Sequence, residues 1–465
     1  MKRSQNTWIL KNKMKTLLLN LPWTQNNRLG VRAGSRWPFT SLPEEDGKIH
    51  YIPFPFFLAY ATALLKKKGY AAKLVDAIAE GITEEAVLGK VKNYEPNILV
   101  IETATPSFYN DIKIAEKLHA IVSDCAIVLC GPHAGVFAEE ILTQYPFIDF
   151  IIRGEYEYVL LGLVRRQEDQ ADLGVVDGLV WKNKEKIVVN SPRSTITDLD
   201  SLPWPEREDV PLYKYNDGFA GLPSPNVQMW ASRGCPYSCS FCLWPQTMYH
   251  ERRYRKRNPL NVADEMEFLI KKFGFRAVYF DDDVFNIDKE YVRQICRHIR
   301  RRNISAPWAV MARADIMNWD LLEEMKAAGL YAIKYGVESA SDKVLELCDK
   351  PMDKVKIIKA VMATKELGIK VHLSFCLGLP GETRQTLDET LKFVQDLKPD
   401  SCQVSLGTPF PGTKYFEDVK KRGRLLNENW SNYDGNFKPV AATEGLSCED
   451  LERIKSDLSS NFNFQ

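Results

Sequence analysis

Short apolar runs alternate with amphipathic stretches from Lys15 to about residue 165. Residues 16–20, 73–76, 97–101, 126–130 and 149–152 are nearly continuous in apolar side chains. That is the pattern of strands covered on both faces. Between them, 54–68, 83–93, 107–122, 137–144 and the stretch from Glu155 predict helices, the first stopped by Gly69. Repeated strand–helix units predict a parallel, doubly wound α/β sheet over residues 14–165. Residues 1–13 are polar and predict a disordered tail.

Residues 166–225 are irregular and charged, with a hairpin at Gly178 to Val189 and a connector, Leu202-Pro203-Trp204-Pro205-Glu206-Arg207, stiffened by proline. They read as a linker. A second alternating series follows over 226–415. Strands are predicted near 227–231, 277–280, 308–312, 331–336, 371–377 and 402–406, with helix stops at Gly274 and Gly368. Six units predict an open, partial (β/α)6 barrel with its chemistry at the C-terminal strand ends. Residues 416–465, with Trp430, Tyr433 and Phe437, read as a small appendage over the barrel mouth.

Composition narrows the class. The chain has 465 residues, 45% hydrophobic and 26% charged, and a net charge of +1. The near-zero charge argues against a nucleic-acid substrate. No apolar run reaches membrane-spanning length, and the first residues lack the apolar core of a signal peptide. A reducing cytoplasm is the expected setting.

The chemistry centres on Cys235-Pro236-Tyr237-Ser238-Cys239-Ser240-Phe241-Cys242. Three thiolates at Cys-x3-Cys-x2-Cys spacing suit three irons of a [4Fe-4S] cluster. The fourth iron is left open for a substrate or co-substrate. A structural zinc site would need a second knuckle, and the other seven cysteines are scattered singly.

This spacing resembles the signature of the radical S-adenosylmethionine (SAM) superfamily. The resemblance implies that the open iron binds SAM and that an electron from the cluster yields a 5′-deoxyadenosyl radical. Later strand ends extend it. Phe241 resembles the aromatic that packs by the adenine. Asp281, Asp282 and Asp283 end the second strand, where the family meets SAM's amino group, and which aspartate acts stays open. Arg313 suits SAM's carboxylate, or else an ion pair with Asp315. Glu338 and Ser339 lie in a segment resembling Gly-x-Glu-Ser, and Gly378 lies in Gly-Leu-Pro-Gly-Glu, where the family approaches the adenine closely.

The first domain's strand ends are Thr103-Ala104-Thr105, Gly131-Pro132-His133, and Gly154-Glu155-Tyr156-Glu157. They resemble the cobalamin-binding domain that precedes the cysteine motif in the B12-dependent branch. The resemblance implies cobalamin contacts from Thr103, Ala104, Thr105, Gly131, Pro132, His133, Gly154, Glu155 and Glu157. No Asp-x-His-x-x-Gly is present to supply a histidine to cobalt, and His133 is equally readable as a polar turn residue. The insertion from Pro22 to Pro53 carries Arg32, Arg36 and Trp37 and reads either as a binding loop or as a surface flap.

The activity so implied is B12-dependent radical methylation of an unactivated carbon. The alternatives are cyclisation or ring rearrangement without methyl transfer, and a non-catalytic cobalamin or cluster protein. Expected partners are a small-molecule, lipid or peptide substrate and an electron donor of flavodoxin or ferredoxin type. No catalytic side chain is singled out.

Overall fold

The computed structural model describes residues 14–41, 51–184 and 186–461; the tail expected at 1–13 lies outside them. Five parallel strands, Lys15–Asn20, Ala71–Asp76, Ile98–Glu102, Ala126–Cys130 and Phe150–Ile152, form the N-terminal sheet. The first lies between the second and third, so the winding reverses beside it. The hairpin expected in the linker is Leu179–Asn183 with Lys186–Val189, and it extends this sheet antiparallel to Phe150–Ile152. The sheet therefore runs past residue 165. Leu179 and Val180 are fully buried, and pairing gives their backbone the partners that a free edge would lack.

The second sheet is an open half-barrel of six parallel strands in chain order: Asn226–Met229, Ala277–Phe280, Trp308–Ala312, Leu330–Glu338, Lys370–Leu377 and Ser401–Leu406. Outward-facing Val278, Val310, Ile333 and Leu373 pack under the surrounding helices. The N-terminal floor of the lumen is closed by Phe219 of the connector. Its ring lies 5.1 Å from Tyr279 and 5.5 Å from His372. Ala277, Ala309 and Ala332 pack around it.

The insertion forms a three-stranded antiparallel sheet of Thr24–Gln25, Arg28–Val31 and Phe39–Ser41. The C-terminal segment does more than cover the mouth. Leu451, Ile454 and Leu458 pack on Leu377 and Leu406, the open side of the half-barrel. Trp430 reaches the N-terminal domain, stacking against His133 and Phe137.

A buried charge cluster joins the two domains. Arg233, two residues before the first motif cysteine, pairs with Glu155 at 3.0 Å and Glu157 at 2.7 Å. Arg255 pairs with Glu155 at 2.7 Å. The Arg233 guanidinium also lies over Phe57, Tyr60 and Trp230. Removing one partner of a buried pair strands the other charge, at about 3–5 kcal/mol. Arg233→Ala should therefore lower the melting temperature sharply, and a melt unchanged within error would refute the clamp.

Candidate active site

The cysteine loop leaves the first half-barrel strand through Ser232-Arg233-Gly234. Gly234 has φ +87°, and a Cβ there would lie 2.2 Å from the Arg253 carbonyl, so this turn requires glycine. The loop is fixed by backbone bonds. Ser240 N–H donates to the Cys348 carbonyl at 2.8 Å, and Gln246 Nε2 donates to the Ser240 and Cys242 carbonyls. Cys239 is buried; Cys235 and Cys242 are half-buried, and all three are free thiols.

The electrostatics favour a thiolate at the centre of the motif. A hydrogen bond with Cys242, aided by the positive charges of Lys350 and Arg313, brings Cys239 down to about 7 despite its burial. Burial pushes Cys235 up to about 12. No set of three or more His, Cys, Asp or Glu side chains among the described residues converges as a single-ion site. Three thiol donors beside two cations fit a [4Fe-4S] cluster, with Cys235, Cys239 and Cys242 as its ligands.

Next to the loop lies a cavity of about 470 Å³ that fills the half-barrel lumen. Phe241, Asp281 and Glu338 line it. Asp281 is the aspartate of its triplet that faces this space. Its Oδ1 accepts from Arg36 at 2.9 Å, while its buried Oδ2 has no partner among the described residues. Glu338 has φ +68° and pairs with Lys350 at 2.7 Å. An orphaned carboxylate oxygen, a second carboxylate and an aromatic wall fit the ammonium, polar and adenine parts of SAM.

Four other residues expected at the SAM site have partners within the protein. Asp282 accepts from Ala231 N–H and Ser232 Oγ and is wholly buried, so it braces the first strand. Arg313 is held as a fork by Asp315, at 3.0 and 2.8 Å, and lies 3.7 Å over Tyr237, so the ion pair with Asp315 is formed. Ser339 Oγ accepts from Ser341 N–H beneath the surface of the lumen. Gly378 faces Leu451 of the C-terminal helix, which an added Cβ would approach to 3.1 Å.

The insertion supplies the roof. Arg36 clamps Asp281 and Asp283 and lies 4.6 Å over Trp244; Trp37 packs edge-on to Phe241 and Phe410. Both line the cavity, as a binding loop would and a surface flap would not. Sequence reasoning missed Lys350, which follows a short helix with no motif around it. It also missed the polar rows Lys334-x-Gly336, His372-x-Ser374-x-Cys376 and Gln403-x-Ser405. The signal was present: polar residues recur at every second position of otherwise apolar strands.

The nine expected cobalamin residues are all buried, and none lines this cavity. At the winding reversal, where doubly wound sheets bind ligands, Arg32 fills the crevice. It donates to Asn20 at 3.0 Å, the Leu21 carbonyl at 2.7 Å and Ser107 at 2.8 Å, and it pairs with Asp111. Thr103 Oγ1 donates to Asp111, and an added Cβ on Gly131 would lie 2.5 Å from the Thr103 carbonyl. Ala104 begins the turn Thr105–Ser107, and Pro132 opens a short helix. His133 meets Thr105 Oγ1 at 3.2 Å and is enclosed by Phe108, Phe137 and Trp430. Burial depresses it to about 3, so it is neutral. Gly154 backs onto the Met248 carbonyl, and Glu155 and Glu157 belong to the domain clamp. In this packing the strand-end side chains are bonded to one another and to their neighbours within the protein.

The half-barrel and the three-thiol loop define a radical SAM enzyme, and residues 231–394 match the family model of the radical SAM superfamily. Residues 47–164 match the B12 binding domain, so the chain belongs to the B12-binding members of that superfamily. An uncharacterised methyltransferase of Pyrococcus horikoshii is 29% identical over 400 residues, covering 86% of this chain and 85% of the relative. The anaerobic magnesium-protoporphyrin IX monomethyl ester cyclase of Rubrivivax gelatinosus is 28% identical over 442 residues, covering 86% and 77%. Among solved structures, the radical SAM methyltransferase TsrM from Kitasatospora setae aligns with TM-score 0.71 at 17% identity, covering 93% of this chain and 86% of that one. The cobalamin-dependent radical SAM enzyme OxsB aligns with TM-score 0.74 at 17% identity, covering 97% and 67%. These two likenesses concern the fold. No helix among the described residues is long and apolar enough to cross a membrane.

Burial raises Glu382, which accepts from Gly378 N–H beside the fifth strand end, to about 8. A raised carboxyl stabilises the fold fully below its unfolded value and loses that contribution as pH rises through the folded one. Glu382→Gln should therefore remove a decline of at most about 1.4 kcal/mol per pH unit. Its melting temperature should gain on the wild type between about pH 5 and about pH 9; equal pH profiles would refute this.

Proposed function

We propose that this enzyme binds SAM across the mouth of the lumen and directs radical chemistry at a substrate held inside it. The reading is carried by one observation: Phe241, Asp281 and Glu338 line the same cavity, beside the cysteine loop. Asp281 Oδ2 receives SAM's ammonium, Phe241 packs by the adenine, and Glu338 with Lys350 meets the remaining polar groups of the methionine part. The bound cluster supplies the electron that cleaves SAM to a 5′-deoxyadenosyl radical, and a flavodoxin- or ferredoxin-type donor replenishes it. Arg36 and Trp37 roof the mouth and keep water from the reacting centre.

The net reaction we assign is methyl transfer to an unactivated carbon. Its support is the naming of methyltransferases among the relatives, including the Pyrococcus protein and a cytidylyl-2-hydroxyethylphosphonate methyltransferase of Streptomyces wedmorensis. Ring formation without methyl transfer is the second reading. It is favoured by the cyclase among the relatives.

The test is an anaerobic incubation of the reconstituted protein with cobalamin, a reductant and methyl-labelled SAM, with both SAM products followed by mass spectrometry. Formation of 5′-deoxyadenosine together with S-adenosylhomocysteine is the expected result. 5′-Deoxyadenosine alone would move the assignment to the cyclising reading. Cys239→Ala should reduce 5′-deoxyadenosine to background, and its persistence would overturn the cluster assignment.

A further inference from the structure

Closed barrels fill their interior with Val, Ile and Leu. This lumen does not. Strand alternation points Lys334, His372, Ser374 and Gln403 inward at its middle. Lys334 stands opposite His372 in the parallel register, and Ser374 opposite Gln403. Asp217, on the connector just before Phe219, lines the same space.

Two opposite charges here lack partners of their own. The Lys334 ammonium lies 5.8 Å from the centre of the Phe219 ring and, among the described residues, makes no hydrogen bond or ion pair. Asp217 is nine-tenths buried, and among the described residues its carboxylate accepts only from Phe219 N–H, at 3.2 Å. Burial raises the Asp217 carboxyl, and the positive charge of Lys334 opposes that rise. Buried charges are normally paired and hydrogen-bonded, because an isolated one is costly.

His372 gives an independent indication. It is 1% exposed, its Nδ1 meets Ser401 Oγ at 2.8 Å, and its Nε2 has no partner among the described residues. Burial and the neighbouring Lys334 hold the ring neutral. The bond to Ser401 admits either tautomer; in the one where the hydroxyl donates to Nδ1, Nε2 carries the proton and is a free donor on a residue that lines the cavity. A cation and an N–H side by side form a carboxylate seat. A carboxylate lining the same space forms an ammonium seat.

We propose that the lumen binds an α-amino acid as its zwitterion, with the carboxylate on Lys334 and His372 Nε2 and the ammonium on Asp217. This deepens the reading above and rests on it for the reaction, though not for binding. Lys334 is four residues below Glu338 on one strand, roughly 13 Å at 3.3 Å per residue. The charged head therefore lies at the floor, and the reacting carbon belongs to the side chain, which points up towards SAM.

The probe is the set of twenty common L-amino acids, titrated singly by calorimetry into the cluster-loaded enzyme with SAM present. For any that bind, the deaminated acid and the decarboxylated amine are titrated as well. The expected result is at least one binder, with both singly charged analogues weakened tenfold or more. Lys334→Met should weaken the amino acid by a similar factor, and Lys334→Arg should restore part of it. Three results would overturn the proposal: no amino acid binds, a singly charged analogue binds as well as its parent, or folded Lys334→Met binds unchanged. The comparison of analogues needs no variant, so it stands even if Lys334→Met fails to fold. Failure of SAM cleavage would count against the radical reading alone; failure of amino-acid binding with cleavage intact would count against this proposal alone.

Discussion

Two arginines and two glutamates buried between the domains set the terms for the rest of the molecule. Arg233 is continuous with the cysteine loop, and its partners Glu155 and Glu157 belong to the N-terminal domain, just past its fifth strand. Charges this deep cannot be left single, so the position of one domain fixes the position of the loop on the other. The aromatic stack of Phe57, Trp230 and Trp244 closes around the same clamp and excludes water from it. A loop held in this way presents its thiols in one orientation without help from distant surface contacts.

The insertion completes the enclosure from the other side. Arg36 spends its guanidinium on the two aspartates at the second strand end, so a segment of the N-terminal domain becomes part of the catalytic wall. Trp37 is held in turn by the C-terminal segment, through its N–H to the Gly435 carbonyl at 3.1 Å. Three stretches remote in the chain thus meet over one lumen. The space beneath them is lined by polar rows that could not serve as packing, and this is why it stays open.

The architecture was legible because its signals are local. Apolar runs, glycine stops and the cysteine spacing each act within a few residues, and six half-barrel strands were readable from them. Of the residues expected at the SAM site, the sequence motifs picked out Phe241, Asp281 and Glu338, which line one cavity. The site was illegible where a neighbour in space takes the side chain first. Asp281, Asp282 and Asp283 are indistinguishable as letters. Only the arrival of Arg36, 245 residues away, and the backbone of Ala231 sorts them into one that faces the cavity and two that brace it. Glu155 and Glu157 looked like cofactor contacts for the same reason: the arginines that consume them lie far along the chain. The hairpin after residue 178 was readable as a hairpin but not as an edge of the sheet, since its partner strand is chosen by tertiary packing.

The floor of the lumen is the one wall that the half-barrel does not make. Phe219 belongs to the connector, and three alanines of the strands merely leave room for it. The depth of the chamber is therefore written in a segment that carries no iron ligand and no SAM contact. A lineage could lengthen, shorten or recharge that plug and so admit a different molecule, while the costly apparatus for making radicals was inherited unaltered. Separation of this kind lets one difficult chemistry spread over many substrates.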